Sequence, residues 1–369
     1  MPLQIQAAIL RAPRRPFELV ELTLDDPGPG EVRVKIAASG VCHSDHHLVT
    51  GSTVHPMPLV AGHEGAGVVE SIGDGVTTVR PGDHVILNWA PACGSCFYCG
   101  HGRSNLCATY TAPLWAGTML DGTTRLHERG ANVYHYCGLA TFAEYVVVPE
   151  PSVVVIRKDA PLDVAALIGC AVATGVGAVL HTAGVKAGES VVVLGCGGVG
   201  LSAVQGAVLA GAGPIIAVDT HPAKMAIAKQ FGATEALPSD DQLLARIREL
   251  TGGRGADHVI EAVGIPALQE LALEAARPGG TITLAGLSAM GTATNLPGAV
   301  LVRQEKTVKG SYYGTVHAPR DFPMLLDLYM TGKLPLGRMV SERYSLSAIN
   351  EAFDAMLAGA TVRGVITFT

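Results

Sequence analysis

The sequence is poor in charge and in aromatic rings. Asp, Glu, Lys and Arg make up 16% of the 369 residues, and Phe, Trp and Tyr only 5%. There is no block of Lys or Arg, and the formal net charge is −6. That leaves no electrostatic footprint for a nucleic acid or an anionic membrane. Little charge beside 48% hydrophobic residues also excludes a disordered chain. The first residues, Met1, Pro2, Leu3 and Gln4, lack the basic segment and apolar core of a signal peptide, so a cytoplasmic chain is expected. Length suggests two domains.

Glycine, by contrast, is abundant, with 45 residues. Two apolar runs, 164–185 and 191–218, carry no acid, Lys or Arg and exceed the roughly 18 residues that suggest a membrane span. Glycines punctuate both. A buried parallel strand followed by a helix on that sheet reads the same way, and a soluble protein is the expectation.

Residues 31–37 alternate with period two, placing Val32, Val34 and Ile36 on one face of a strand. Short strands at 67–73, 83–87 and 142–148 follow, separated by Gly, Asp and Pro turns. This part reads as a small, irregular β domain. Beyond Val172 the pattern changes. Strands are predicted at 190–194, 214–219, 258–263 and 281–286, with helices at 199–210 and 222–231 between them. That alternation indicates an α/β, doubly wound parallel sheet. After about Tyr313 mixed structure returns, with helices at 322–330 and 348–357 and a closing strand at 364–368. The α/β domain is thus inserted between two parts of the first.

Three sets of residues carry chemistry. Gly195, Gly197 and Gly200, with Gly198 and Val199, form GCGGVG between a strand and a helix, and Asp219 ends the next strand. The glycines allow a tight turn, close approach of a pyrophosphate and close helix packing. Asp219 suits ribose hydroxyls and repels a 2′-phosphate, so NAD is expected over NADP. Lys224 is in reach of the same ribose. Cys93, Cys96, Cys99 and Cys107 are closely spaced thiols, suited to a closed tetrahedral Zn²⁺ site; an iron–sulfur cluster fits the spacing too. The third set is dispersed: Cys42 in GVCHSDHH, His63 with Glu64, and Cys170. Two thiolates and an imidazole would leave a zinc position open for substrate, but sequence alone does not bring them together.

The stretches GVCHSDHH, GHEGAGVV, PGDHVI, CGSCFYCGHGRSNLC, LIGCAVATGVGAV, GCGGVG and TVRGVITF resemble, in order and spacing, the zinc-dependent medium-chain alcohol dehydrogenases, and the resemblance covers nearly the whole chain. It implies a GroES-like β-rich catalytic domain, residues 1–172 and 314–369, and a Rossmann cofactor domain, 173–313. It implies Cys42, His63 and Cys170 as catalytic zinc ligands, Glu64 as a carboxylate that approaches the metal, and the four clustered cysteines as ligands of a structural zinc. Zinc would act on the alcohol as a Lewis acid, Ser44 and His47 would relay its proton, and NAD would take the hydride. Asp45 would orient the ligand histidine. Thr174 would lie near the nicotinamide, and His43 and Arg363 near the pyrophosphate. Cys137 and Cys196 match no ligand.

The implied substrate is a small primary or aromatic alcohol, or its aldehyde. An S-(hydroxymethyl) adduct of glutathione or mycothiol is the alternative, against which Thr111 stands where that branch usually has arginine. A non-catalytic NAD-binding member and a zinc-free quinone reductase are competing readings. By analogy of the loop at 117–140 a homodimer is expected, with a tetramer possible.

Overall fold

The computed structural model describes residues 1–368. The chain forms two compact units, Met1–Cys170 with the residues from His317 onward, and Ala171–Val316. Their divisions fall two or three residues from the expected 172/173 and 313/314.

In the first unit, five strands close a barrel: Leu3–Leu10, Glu18–Leu24, Leu126–Glu128, Ala131–His135 and Leu59–Val60. A second, mixed sheet is centred on Glu31–Gly40, which pairs antiparallel with Gly65–Ile72, Tyr145–Pro149 and Arg363–Thr367. Val32, Val34 and Ile36 are buried on this strand as their alternation requires. Its other face is not simply solvated. Glu31 and Arg33 are buried too, because Arg125 clamps Glu31 at 2.7 Å and Glu70 holds Arg33 at 2.6 Å. Burial of these charges is tolerable because each is paired. The strand expected at 142–148 is Tyr145–Pro149, with Ala143 making only a bridge to Ala7.

The second unit holds a six-stranded parallel sheet. Its order is Glu235–Pro238, Ile215–Asp219, Val191–Leu194, Ala256–Glu261, Ala276–Leu284, Thr307–Gly310. Direction of travel across the sheet reverses between Val191–Leu194 and Ala256–Glu261, the switch point at which open α/β sheets take ligands. Val192, Leu194, Ile216, Val218, Val259 and Ile282 pack with Ile247 and Leu273 into one core.

The two apolar runs have different origins. Residues 191–218 are strand, helix Gly198–Leu209 and a second strand, as expected. Residues 164–185 contain no strand. Leu162–Ala183 is one helical run, interrupted by π-turns at Ile168–Val172 and Ala178–Ala183. It is long and apolar enough to cross a membrane, but is mostly buried in the protein. Burial on nearly every side, rather than strand geometry, removes its polar face.

Candidate active site

Packing of the central strand brings the dispersed set together. Ser39 lies opposite Gly65, so the chain leaves one strand at Gly40 beside the residue that enters the next, Glu64. The Gly40 N–H donates to the Glu64 carbonyl at 2.9 Å. A Cβ on Gly40 would overlap the Glu64 carboxylate, which explains a glycine here. Cys42 follows at the N-cap of helix His43–Thr50. Cys170 arrives on the long helical run, within the π-turn Ile168–Val172. Gly169, whose added Cβ would stand 3.0 Å from the Leu87 carbonyl oxygen, lets that run approach the sheet. The ligand atoms of Cys42, His63, Glu64 and Cys170 all lie within 4.8 Å of one another.

The imidazole of His63 is oriented as a donor of electrons to a cation. Its Nδ1 sits 3.1 Å from Asp45 Oδ1, and that same oxygen accepts the Gly62 N–H at 2.8 Å. Asp45 Oδ1 only accepts, so Nδ1 carries a proton, and Nε2 is turned toward the thiols. Buried Nε2 has no hydrogen-bond partner among the described residues. A buried ring nitrogen left unpaired is costly, and a thiolate-preferring divalent cation such as zinc, displacing the proton there, satisfies it. The residues present therefore fit the metal. The Cys170 thiol, hydrogen-bonded toward Cys42, holds Cys42 well below the ordinary thiol value, and its own is pushed up in return. Burial alone would lower His63, but Asp45 and Cys170 more than reverse it.

Glu64 is fully buried and bonded to the Arg363 guanidinium, which also donates to the Val41 carbonyl at 2.9 Å. Burial pushes the Glu64 carboxyl up to about 7 against the pull of Arg363. Arg363, expected near a pyrophosphate, is thus itself buried and committed to Glu64 within the first unit. On helix His43–Thr50, Asp45 and Leu48 form the buried face. Ser44 and His47, three residues apart and so on one side, are half-buried, and His43 is exposed.

Tyr136 was not singled out by the sequence. Its ring meets His63 edge-on with centroids 5.5 Å apart, and its hydroxyl donates to the Ser44 carbonyl at 3.3 Å. It thus touches both the candidate ligand and the candidate relay. No motif marks it; only its place between an unusual left-handed Cys137 and the barrel does.

The clustered cysteines form a second group, Cys93, Cys96, Cys99 and Cys107, with all sulfurs within 4.8 Å. Donors from the Thr109 hydroxyl first, then backbone at Ser95 and Cys96, hold Cys93 down to about 5. All eight cysteines are free thiols.

In the second unit the three motif glycines occupy three different environments. Gly195 adopts φ +95°, a left-handed turn. An added Cβ on Gly197 would enter open space, the room a phosphate needs. On Gly200 it would overlap the Gly195 carbonyl oxygen, so helix and turn are in contact. Gly198 and Val199 open the helix, whose first N–H groups favour an anion. Asp219 accepts the Cys196 N–H at 2.8 Å through Oδ2 and the His221 N–H at 2.9 Å through Oδ1. These bonds fix the carboxylate at the strand end while leaving each oxygen a further lone pair. Lys224 follows on helix Pro222–Gln230. Thr174 is buried on Ala173–Gly177.

Comparison with known proteins agrees with this construction. Residues 28–159 match the family described as alcohol dehydrogenase GroES-like domain, and 198–331 that described as zinc-binding dehydrogenase. An NDMA-dependent alcohol dehydrogenase from Amycolatopsis methanolica is 43% identical over 99% of both chains. The chain belongs to the zinc-dependent medium-chain alcohol dehydrogenases. As a member it is an NAD-dependent zinc enzyme of the alcohol dehydrogenase class. An S-(hydroxymethyl)glutathione dehydrogenase from Photobacterium damsela is 41% identical, covering 98% of this chain and 99% of that one. The crystal structure of benzyl alcohol dehydrogenase from Acinetobacter calcoaceticus superposes with a TM-score of 0.94 at 32% identity, over all of both chains.

Proposed function

We propose that the chain oxidises a primary or aromatic alcohol to its aldehyde, and catalyses the reverse, with Cys42, His63 and Cys170 holding the catalytic zinc. The buried Nε2 of His63, without a hydrogen-bond partner among the described residues and set between two thiols, carries this reading. Bound there, zinc supplies the Lewis acidity that lowers the alcohol's pKa. Asp45 fixes the His63 tautomer. Arg363 keeps the Glu64 carboxylate aimed among the ligand atoms. Ser44 and His47, on one side of their helix, pass the alcohol proton outward. The turn at Gly195, Gly197, Gly198, Val199 and Gly200, with Asp219, Lys224 and Thr174, holds NAD, which accepts the hydride. Cys93, Cys96, Cys99 and Cys107 bind a second, structural zinc.

A thiol adduct is the less favoured substrate. Thr111 is neutral, and its hydroxyl is used on the Cys107 carbonyl at 2.7 Å, so this position offers no cation to an anionic thiol carrier. The reading also places the enzyme in the cytoplasm, where its free thiols stay reduced, as a homodimer or tetramer.

The test is a kinetic screen of metal-replete protein with benzyl and short-chain alcohols, S-hydroxymethyl adducts of glutathione and mycothiol, and both NAD and NADP. One arm adds NDMA, because a relative's name states that dependence. NADH formation, or NDMA reduction, fastest with a simple alcohol is expected. A kcat/KM at least tenfold higher for either adduct would replace the reading by its alternative, and turnover by metal-free protein would end it.

A further inference from the structure

Glu261 ends the strand Ala256–Glu261 on the ligand-binding side of the switch point. It is fully buried, and no salt bridge to it is found among the described residues. Its Oε1 accepts two backbone N–H groups, Val263 and Gly264, both at 2.7 Å. Its carboxylate also draws weaker hydrogen bonds from the Gln269 side chain and the Ile265 backbone. Its own carbonyl meanwhile accepts the N–H groups of Ala285 and Gly286 at 2.8 and 2.9 Å. One residue therefore pins two neighbouring strand-end turns, one through its side chain and one through its backbone.

Those turns leave no slack. Gly264 has φ +85°, and an added Cβ would overlap the Leu287 carbonyl oxygen. On Gly286 it would overlap the Gly264 nitrogen, and on Gly195 it would overlap the Val263 side chain. The contacts thus run from Glu261 to Val263, and from Val263 to the first glycine of the phosphate turn. A carboxylate is an expensive means of holding a turn in a dry interior. An amide or hydroxyl would cap the same N–H groups at less cost, but with weaker, uncharged hydrogen bonds.

We infer that Glu261 is a positioning residue for the coenzyme: its carboxylate fixes the Val263–Gly264 turn against Gly195 and so sets the path of the dinucleotide beyond its adenosine half. The inference rests on the reading of the second unit as the NAD-binding unit. Sheet order makes it selective. Asp219 lies on the strand to one side of Val191–Leu194, and Glu261 on the strand to the other. A ligand confined to the Asp219 side does not need the Val263 turn; a dinucleotide that crosses the switch point does.

The experiment is a pair of titrations on the zinc-loaded enzyme, NADH by fluorescence and AMP by calorimetry, for wild type, Glu261→Ala, Glu261→Asp and Glu261→Gln. Loss of two buried hydrogen bonds in Glu261→Ala should raise the Kd for NADH about tenfold or more, with that for AMP unchanged within twofold. Glu261→Asp, whose shorter side chain withdraws the oxygen but keeps the charge, should show the same separation, and it decides the matter should the alanine variant not fold. Glu261→Gln retains an acceptor oxygen and should recover NADH affinity to within about threefold of wild type. A purely structural role predicts a lower Tm with both affinities unchanged, or both weakened by one factor, and either outcome overturns the inference. Wild-type protein that binds neither NADH nor AMP would instead overturn the underlying reading of the unit.

Discussion

The first unit carries two clusters of side chains that could hold a metal ion, built on opposite plans. Cys93, Cys96, Cys99 and Cys107 come from a single short stretch whose helix Phe97–Gly100 buries no residue, and Phe97 at its tip is 70% exposed. Cys42, His63 and Cys170 come from three distant segments, held by a sheet, a helix and a π-turn. Around the first there is little core to shape the site, so the metal must shape the loop. Around the second, buried neighbours set the geometry before any ion arrives: Asp45 on His63, Arg363 on Glu64, Tyr136 against both His63 and Ser44. Zinc that organises a loop contributes to folding, whereas zinc in a preformed pocket contributes mainly to chemistry.

That contrast is sharpest in paired substitutions. Cys170→Ser should lower kcat by about 10³-fold or more and bound zinc from two per chain to one, with Tm nearly unchanged. Metal analysis, initial rates and calorimetry on one preparation would check it; a collapse of Tm would erase the distinction. Cys107→Ser should also leave one zinc, but its signature is thermal. A Tm lower by roughly 5–10 °C is expected, with the activity of the still-folded fraction within a few-fold of wild type.

Asp45→Asn probes how far the buried site is preformed. Removing the charge behind His63 while keeping the shape should weaken catalytic zinc by roughly 10- to 100-fold, read by competition with a chelator, and leave the other zinc untouched. An equal loss at both sites would mean that the two clusters are not independent.

The smallest effect concerns the buried imidazole of His135. His135 Nε2 accepts the Arg125 N–H at 3.0 Å, and burial first, then Arg125, pulls its pKa down to about 3. Its folded value is below the unfolded one of about 6.5. The unfolded chain therefore binds the extra proton between those values, and stability falls as pH drops from about 6.5 toward 3. The slope is at most about 1.4 kcal/mol per pH unit. Glutamine offers the same acceptor without titrating, so His135→Gln should flatten the fall of Tm between pH 7 and 5. An unchanged slope would show that His135 is not its source.

The same contrast marks what was legible in the sequence. The thiol lobe and the glycine turn are local: Cys93 to Cys107 reach one another through short loops, and Gly195 to Gly200 span one turn, so spacing alone implies proximity. Of the second unit's strands, 190–194, 214–219 and 258–263 were recovered within two residues of their ends, because burial makes them apolar runs, whereas Ala276–Leu284 begins five residues before the expected 281 and the less apolar edge strands Glu235–Pro238 and Thr307–Gly310 were not predicted. Residues 164–185 show the limit of that signal. An apolar run reports burial but not the conformation in which it is buried, and here helix replaced the expected strand.

Composition, the glycine turn and the four close cysteines were determined by the chain itself, since each depends on neighbours a few bonds away. The meeting of Cys42, His63 and Cys170, the turning of Arg363 onto Glu64, the edge of Tyr136 on His63 and the pinning of two turns by Glu261 were decided only by the tertiary structure. Each is a contact between segments far apart along the chain. Such contacts depend on strand register, on where a glycine lets two backbones touch and on which polar atom burial leaves unpaired, none of which any one segment specifies alone.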